Sequence, residues 1–307
     1  TNNTLRNVGL FDLTPFSKFE IKSDKAHQEL QKICTANIKN EPGKCVYTHM
    51  LNSDGGIETD LTVVCVDNNH FRIISSAATR ERDKFHINKH LSKNVKLKDI
   101  TDDLCVFGLF GPKSRDLLKT LSKDNFENDQ FRFGFAKFIT IDGVKIWTQR
   151  LSYVGELGYE LYVDLKDAKK IYELLIEKGK DFNLSNCGMH AMDIMRMESG
   201  FLHWGHDISP EENQYQAGLA FTISNKKDVD FIGKQALEKI KQNKVKTRFS
   251  MFTLKESEPG KPLLLHDEPI YDDEKIIGRS TSGNYSFNFK KNLVFGYINN
   301  DFSNEEL

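Results

Sequence analysis

An α+β fold is what this sequence predicts, and three observations carry the prediction. Ala168, Ile171, Leu174 and Leu175 recur at helical spacing inside Lys166 to Lys178, so that stretch reads as an amphipathic helix. Phe135 to Ile141 and Val144 to Leu151 read as two strands joined by Asp142-Gly143, a favoured hairpin dipeptide. From Thr247 onward, short strands alternate with turn residues, which predicts a separate small all-β unit over residues 246–307.

The remaining elements follow the same rules. Alternation at Phe19 and Ile21 marks a strand. Ser23 is placed to cap a helix from Asp24 to Cys34, with Ala26, Leu30 and Ile33 on one face. Asn52-Ser-Asp-Gly55-Gly56 is a turn signal among strands in 46–76. One strand is expected at Asp60 to Val66 and its neighbour at Phe71 to Ser75. A charged helix follows at 79–91, a short strand at Val106 to Leu109, and a helix from Gly111-Pro112 through Leu121. Strand-like runs are expected at Ile146 to Leu151 and Tyr159 to Val163. A further helix runs from about Met189 to Ser199 and stops at Gly200, before a loop at Ile208 to Asn213. A basic, exposed helix begins near Phe231. Thr281-Ser-Gly-Asn reads as turn residues, and the polar end, Asn299 to Leu307, leaves the β unit expected to lack its last strands.

A chain of 307 residues is long enough for about two domains with a sizeable core. Its 43 basic and 44 acidic residues nearly cancel, so bulk charge draws it to neither nucleic acid nor an anionic membrane. No apolar run reaches the ~20 residues of a membrane helix. Cys34, Cys45, Cys65, Cys105 and Cys187 are scattered without a Cys-x-x-Cys pair, which suits a reducing compartment. The first residues, Thr1 to Arg6, hold neither an initiator Met nor an apolar signal core. The expectation is therefore a processed or trimmed product working in the cytoplasm or the mitochondrial matrix.

The stretch Arg150 to Val163 draws most attention. Gly155 and Gly158 interrupt two strand-like runs, and Glu160 follows with Tyr153 before it and Tyr162 after. Glycine permits unusual backbone angles and close approach to the main chain. A carboxylate can accept two parallel N–H bonds from an amidine-like edge while aromatic rings cover the faces of a flat heterocycle. The same residues also suit a plain hairpin with a surface Glu and two packing tyrosines. Asp60, just after the Gly55-Gly56 turn, is either a fixed anion for proton transfer or a cap for that turn. His203-x-x-His206-Asp207 lacks a third ligand at zinc-like spacing, so no metal is expected. Gly155-x-x-Gly158 is not a dinucleotide fingerprint, and no phosphate loop occurs. The lysine-rich segment Lys234 to Lys246 reads as a solvated face.

Several segments, taken in order, add to this reading. They are Val8-Gly-Leu-Phe-Asp; Gly55-Gly-Ile-Glu-Thr-Asp60-Leu-Thr; Ile100-Thr-Asp with Gly108-Leu-Phe-Gly-Pro; Ser152-Tyr-Val-Gly-Glu-Leu-Gly-Tyr-Glu-Leu-Tyr; Ala191-Met-Asp-Ile-Met-Arg-Met-Glu; Ala217-Gly-Leu; Asp230-Phe-Ile-Gly-Lys-Gln-Ala-Leu; and Thr281-Ser-Gly-Asn-Tyr-Ser. In this order they resemble the aminomethyltransferase (glycine-cleavage T-protein) superfamily over nearly the whole chain. Within it they look most like the carboxy-terminal folate-binding half of dimethylglycine dehydrogenases. The resemblance implies a three-lobed fold that encloses tetrahydrofolate. Residues 1–245 would form two intertwined lobes, roughly 1–45 with 130–210 and 46–129 with 211–245, and 246–307 a small β-barrel. It implies Asp60 as the catalytic residue, with Leu61 and Thr62 beside the reactive edge of the folate. It implies Glu160 as the holder of the pterin edge, with Tyr153, Leu161 and Tyr162 as its neighbours and Phe221 as an aromatic contact.

The implied reaction captures an iminium or formaldehyde carbon from a methylated glycine-type amine and yields 5,10-methylenetetrahydrofolate. A flavin-containing dehydrogenase domain or subunit would be the partner that oxidises the amine, since no Gly-x-Gly-x-x-Gly segment is present here. Two other activities fit the resemblance: a stand-alone aminomethyl- or methyltransferase with another donor, and a non-catalytic folate-binding regulatory module. One departure stands out. The T-protein has arginine where this chain has Met192, a feature shared with the dehydrogenase branch.

Overall fold

The computed structural model describes residues 1–262 and 264–302. Of the polar end read above, 303–307 lie outside the described residues. In chain order the elements are α1 (Asn2–Arg6), β1 (Val8–Asp12), β2 (Ser17–Lys22), α2 (Ala26–Ile33), β3 (Cys45–Leu51), β4 (Ile57–Asp67) and β5 (His70–Ser75). Then come α3 (Arg80–His90), β6 (Leu97–Asp99), β7 (Leu104–Phe110), α4 (Ser114–Leu121), β8 (Ala136–Ile141), β9 (Val144–Gln149) and β10 (Gly158–Asp164). The rest are α5 (Leu165–Gly179), β11 (Leu184–Cys187), α6 (Met189–Glu198), α7 (Lys234–Asn243), β12 (Thr247–Thr253), β13 (Pro269–Asp272), β14 (Lys275–Ser286) and β15 (Lys291–Asn299).

The chain divides into two compact units, each made of separated segments. The first comprises Thr1–His27, Lys39–Val46 and Thr62–Met195. Its main sheet has the order β11–β1–β7–β10–β9–β8. The β8–β9 hairpin forms as expected, with Asp142 and Gly143 at φ 46° and 78°, the left-handed pair a two-residue turn needs. One face of the sheet packs Leu109, Ile139, Ile146, Leu161 and Val163 against Leu117 and Leu118 of α4 and Ile171 and Leu175 of α5. The other face packs Phe11, Val106, Trp147 and Tyr162 against Val64 and Met192. Alternation along β10 divides its side chains between these two cores. A five-stranded sheet has the order β3–β4–β5–β2–β6, and its strand β4 passes from the second unit into the first between Leu61 and Thr62.

The second unit comprises Gln28–Ile38, Tyr47–Leu61 and Arg196–Leu307. Its antiparallel sheet runs β12–β15–β14–β13. Thr281-Ser-Gly-Asn, read from the sequence as turn residues, lies in the middle of β14. The reason is a buried ion pair. Arg196 and Asp207, 2% and 1% exposed, meet at 2.5 Å between Nη1 and Oδ2. Thr281 and Ser282 hydroxyls donate to Asp207 Oδ1 at 2.5 and 2.8 Å, and Arg196 Nη2 donates to Ser282 Oγ at 2.8 Å. Small polar residues here face inward to satisfy a carboxylate, which turn propensity does not anticipate. The polar groups of Asp207 are further engaged by the His203 backbone N–H at 2.9 Å and the Tyr297 hydroxyl, which donates to its carbonyl at 2.8 Å.

Removing one member of so enclosed a pair leaves the other charge stranded. Asp207→Ala is expected to lower stability by about 3–5 kcal/mol. Urea unfolding checks this; a loss below ~1 kcal/mol would contradict it.

Candidate active site

In the first unit the site is built across one row of the main sheet. Glu160 on β10 lies opposite Gly108 on β7 and Gln149 on β9, and Gln149 lies opposite Ala136 on β8. Directly paired residues project from the same face. The row is therefore a glycine and an alanine flanking a carboxylate and a carboxamide. The next row holds Val106, Tyr162, Trp147 and Phe138. Tyr162 donates its hydroxyl to Glu160 Oε2 at 2.8 Å. Tyr153, in the loop before β10, is half-buried and packs against the core that contains Tyr162 and Trp147. Leu161 alternates to the far face and sits in the other core.

The two glycines before Glu160 act differently. Gly155 has φ 76°, a left-handed angle that other residues adopt at a cost. Gly158 is a packing requirement: a Cβ there would lie 2.6 Å from Phe110 Cδ1 and 2.7 Å from Leu151 O. The close approach at Gly158 is thus between the protein's own strands.

Burial pushes the Glu160 carboxyl up to about 7, a rise that the hydrogen bond from Tyr162 only partly opposes. The same burial raises the Cys45 thiol, and the nearby Glu160 carboxylate adds to it. Several buried polar atoms on this face have no protein partner: Gln149 Oε1 and Nε2, Trp147 Nε1, and Nε and Nη1 of Arg72. The Arg72 guanidinium carbon lies 5.8 Å from the Tyr162 ring centre, and Nη2 donates to Glu20 Oε1 at 2.8 Å. Each unpaired buried group costs about 1–3 kcal/mol. Together with Glu160 they form a face suited to a flat ligand rich in N–H donors and ring acceptors.

The second unit holds the other candidates. Asn52 Oδ1 accepts the backbone N–H groups of Asp54 and Gly56, both at 2.9 Å, so Asn52 rather than Asp60 caps the glycine turn. Asp60 lies within β4, on the less buried face it shares with Glu58 and Thr62, while Leu61 alternates to the buried side. Tyr47 donates to Asp60 Oδ2 at 3.4 Å, and its oxygen is 3.2 Å from His49 Nε2. His49 is fully buried, and desolvation lowers its pKa to about 3, so the imidazole is neutral. Phe221 occupies a single 3-10 turn, Ala220–Thr222, and is 77% exposed, whereas its neighbour Thr222 turns inward toward His49. The His203 and His206 rings lie 4.6 Å apart at a tilt of 44°, with the Asp207 carboxylate given over to Arg196 and the β14 hydroxyls.

Glu160 and Tyr162 are thus brought together, with Tyr153 against the same core. Asp60 and Phe221 belong to the second unit, and Thr62 to the first. Sequence reading missed Tyr47, His49 and Gln149. Tyr47 and His49 alternate on the strand just before the glycine turn that leads to Asp60, and Gln149 closes the strand VKIWTQ ahead of Arg150. Those spacings were the available signals.

The fold is that of the aminomethyltransferases. The chain belongs to the glycine-cleavage T-protein family: residues 1–227 match the GCVT N-terminal domain and 248–307 the glycine cleavage T-protein C-terminal barrel domain. An aminomethyltransferase of Halothermothrix orenii is 32% identical over 302 residues, covering 98% of this chain and 83% of that protein. The 4-methylaminobutanoate oxidase (formaldehyde-forming) of Paenarthrobacter nicotinovorans is 37% identical over 279 residues, 91% of this chain. Mitochondrial dimethylglycine dehydrogenase of Rattus norvegicus is 33% identical over 297 residues, 96% of this chain. The chain spans 34% of the length of each of these last two proteins. The crystal structure of the glycine cleavage system aminomethyltransferase T from Bartonella henselae superimposes with a TM-score of 0.87 at 20% identity, covering 98% of this chain and 81% of that one, and so shares the fold. No described helix is long and apolar enough to cross a membrane.

The Glu160 shift has a consequence for stability. Its folded pKa of about 7 exceeds the ordinary 4.5, so the folded protein holds the proton more tightly. This contribution is fully present below the unfolded value and is lost as pH rises through 7. The shift corresponds to ~3 kcal/mol, discounted to about 2 kcal/mol for partial exposure. Glu160→Gln is therefore expected to unfold at higher urea than the wild type at pH 8.5 and at the same urea at pH 4.5. Equal midpoints at both pH values would contradict the burial of the charge.

Proposed function

We propose that this chain is a tetrahydrofolate-dependent one-carbon transferase that takes an iminium or formaldehyde carbon, derived from a methylated glycine-type amine, to give 5,10-methylenetetrahydrofolate. The observation that carries the reading is Glu160: a carboxylate raised by burial, hydrogen-bonded by Tyr162 and set among unpartnered polar atoms. Tetrahydrofolate is the cofactor of the family, and it supplies a nucleophilic nitrogen that accepts the carbon. The residues here suit its pterin: Glu160 as acceptor for the aminopyrimidine N–H edge, with Gln149 beside it in the same row. Tyr153 and Tyr162 supply aromatic walls.

Asp60 is assigned to the chemistry. A carboxylate held by the Tyr47 hydroxyl stabilises a developing cation and accepts a proton. Orientation by Glu160 lowers the barrier by several kcal/mol, roughly 7–11 at most. Two relatives named for dehydrogenation or oxidation of methylated amines, matched over a third of their length, support a flavin-bearing source of the carbon. A stand-alone aminomethyltransferase, as in the Halothermothrix relative, is separated from this by the donor that sustains transfer without a flavin partner.

Calorimetric titration with tetrahydrofolate tests the reading. Glu160→Ala is expected to weaken binding at least tenfold, and Asp60→Asn to keep binding while losing transfer from formaldehyde. Equal folate affinity in wild type and Glu160→Ala would remove the assignment. Because the ionised carboxylate is the binding form, wild-type affinity is expected to fall below pH 7, by up to about tenfold per unit. Affinity flat from pH 8 to 5.5 would count against that role.

A further inference from the structure

His49 is buried, neutral and joined to Asp60 through one tyrosine, a pattern that asks which way the hydrogen bonds run. The Thr222 hydroxyl donates to Leu219 O at 2.7 Å and accepts from Gln214 Nε2 at 2.7 Å. The Gln214 amide also lies 3.1 Å from His49 Nδ1 and 3.0 Å from Thr35 Oγ1. Two arrangements satisfy the imidazole locally. In one, Nδ1–H donates to Thr222 Oγ1, 3.0 Å away, and Nε2 accepts the Tyr47 hydroxyl. In the other, Nδ1 accepts from Gln214, and Nε2–H donates to the Tyr47 oxygen.

The far end decides between them. A carboxylate only accepts, so a phenol that has given its proton to His49 would set a lone pair against Asp60. The second arrangement leaves the Tyr47 O–H to donate to Asp60 Oδ2. We infer that Gln214, His49 and Tyr47 form a one-way donor chain ending on Asp60, in which His49 and Tyr47 are positioning residues that hold the carboxylate ionised and in one rotamer. The role given to Asp60 rests on the function proposed above; the direction of the chain does not.

The geometry has a clear division of labour. His49 and Gln214 are fully buried, so they form a fixed base, whereas Tyr47 is 38% exposed. The 3.4 Å contact from Tyr47 to Asp60 is long for an O–H···O bond, and contacts of this kind shorten in the loaded complex. Glu58 lies two residues along the same strand face.

Two measurements test the chain. Nitrogen-15 spectra of histidine-labelled protein, assigned with a His49→Gln variant, are expected to show His49 neutral and protonated on Nε2 from pH 6 to 8. An Nδ1-protonated ring, or an imidazolium in that range, would overturn the inference whether or not folate is bound. Tyr47→Phe removes one hydroxyl from an exposed ring and is expected to lower the turnover of carbon transfer about tenfold. It should move the acid limb of the pH profile upward and leave KM for tetrahydrofolate unchanged. Unaltered turnover with an unaltered limb would sink the positioning role. A wild type that transfers no carbon would instead overturn the reading of Asp60, leaving the imidazole spectrum to judge the chain by itself.

Discussion

The first unit depends on the tolerance of a carboxyl group inside an apolar sheet. Glu160 stands on a strand whose other face carries Tyr159, Leu161 and Val163 in a dense core, and its own face is lined by Tyr162, Trp147 and Val106. Water alone would be the cheaper host for such a charge. One phenol donates to it, and its neighbours in the row are a glycine and a carboxamide, none of which neutralises it. A group held in this way favours a partner that brings its own N–H donors, and the orphaned atoms of Gln149, Trp147 and Arg72 carry the same preference. The second unit treats charge in the opposite manner: Asp207 is surrounded by Arg196, two hydroxyls and a backbone donor.

Much of the fold was legible because local signals agreed with tertiary need. The Asp142-Gly143 hairpin, the helix after Asp164 and the stop at Gly200 each depend on a few adjacent residues, and each appears where spacing and turn chemistry put it. The short partners were harder. β1, β6 and β11 are strands because they complete ladders with distant segments, as Val8 does with Leu184. Thr281 to Asn284 misled for a related reason, since its polar character answers a carboxylate more than seventy positions earlier, Asp207.

Of the candidate site, Glu160 and Tyr162 could be read because carboxylate, tyrosine and glycine crowd into one short stretch. Asp60 drew notice through its glycine turn, although Asn52 is what closes that turn. Gln214, Thr222 and Thr35 could not be read at all. They reach His49 from segments far apart in the chain, and only burial makes their hydroxyl and amide groups informative.

The interleaved make-up of the two units bears on how the chain is born. The first unit has all its segments once residue 195 has left the ribosome, whereas segments 28–38 and 47–61 belong to a unit whose remainder starts at Arg196. Its sheet is finished only by β15, so those early pieces wait through the synthesis of about 240 residues, on the order of 12–48 s. During that interval Leu51, Ile57 and Leu30 have no completed core of their own. A polypeptide emerging in this order gives chaperones a defined window, which the completion of β15 closes.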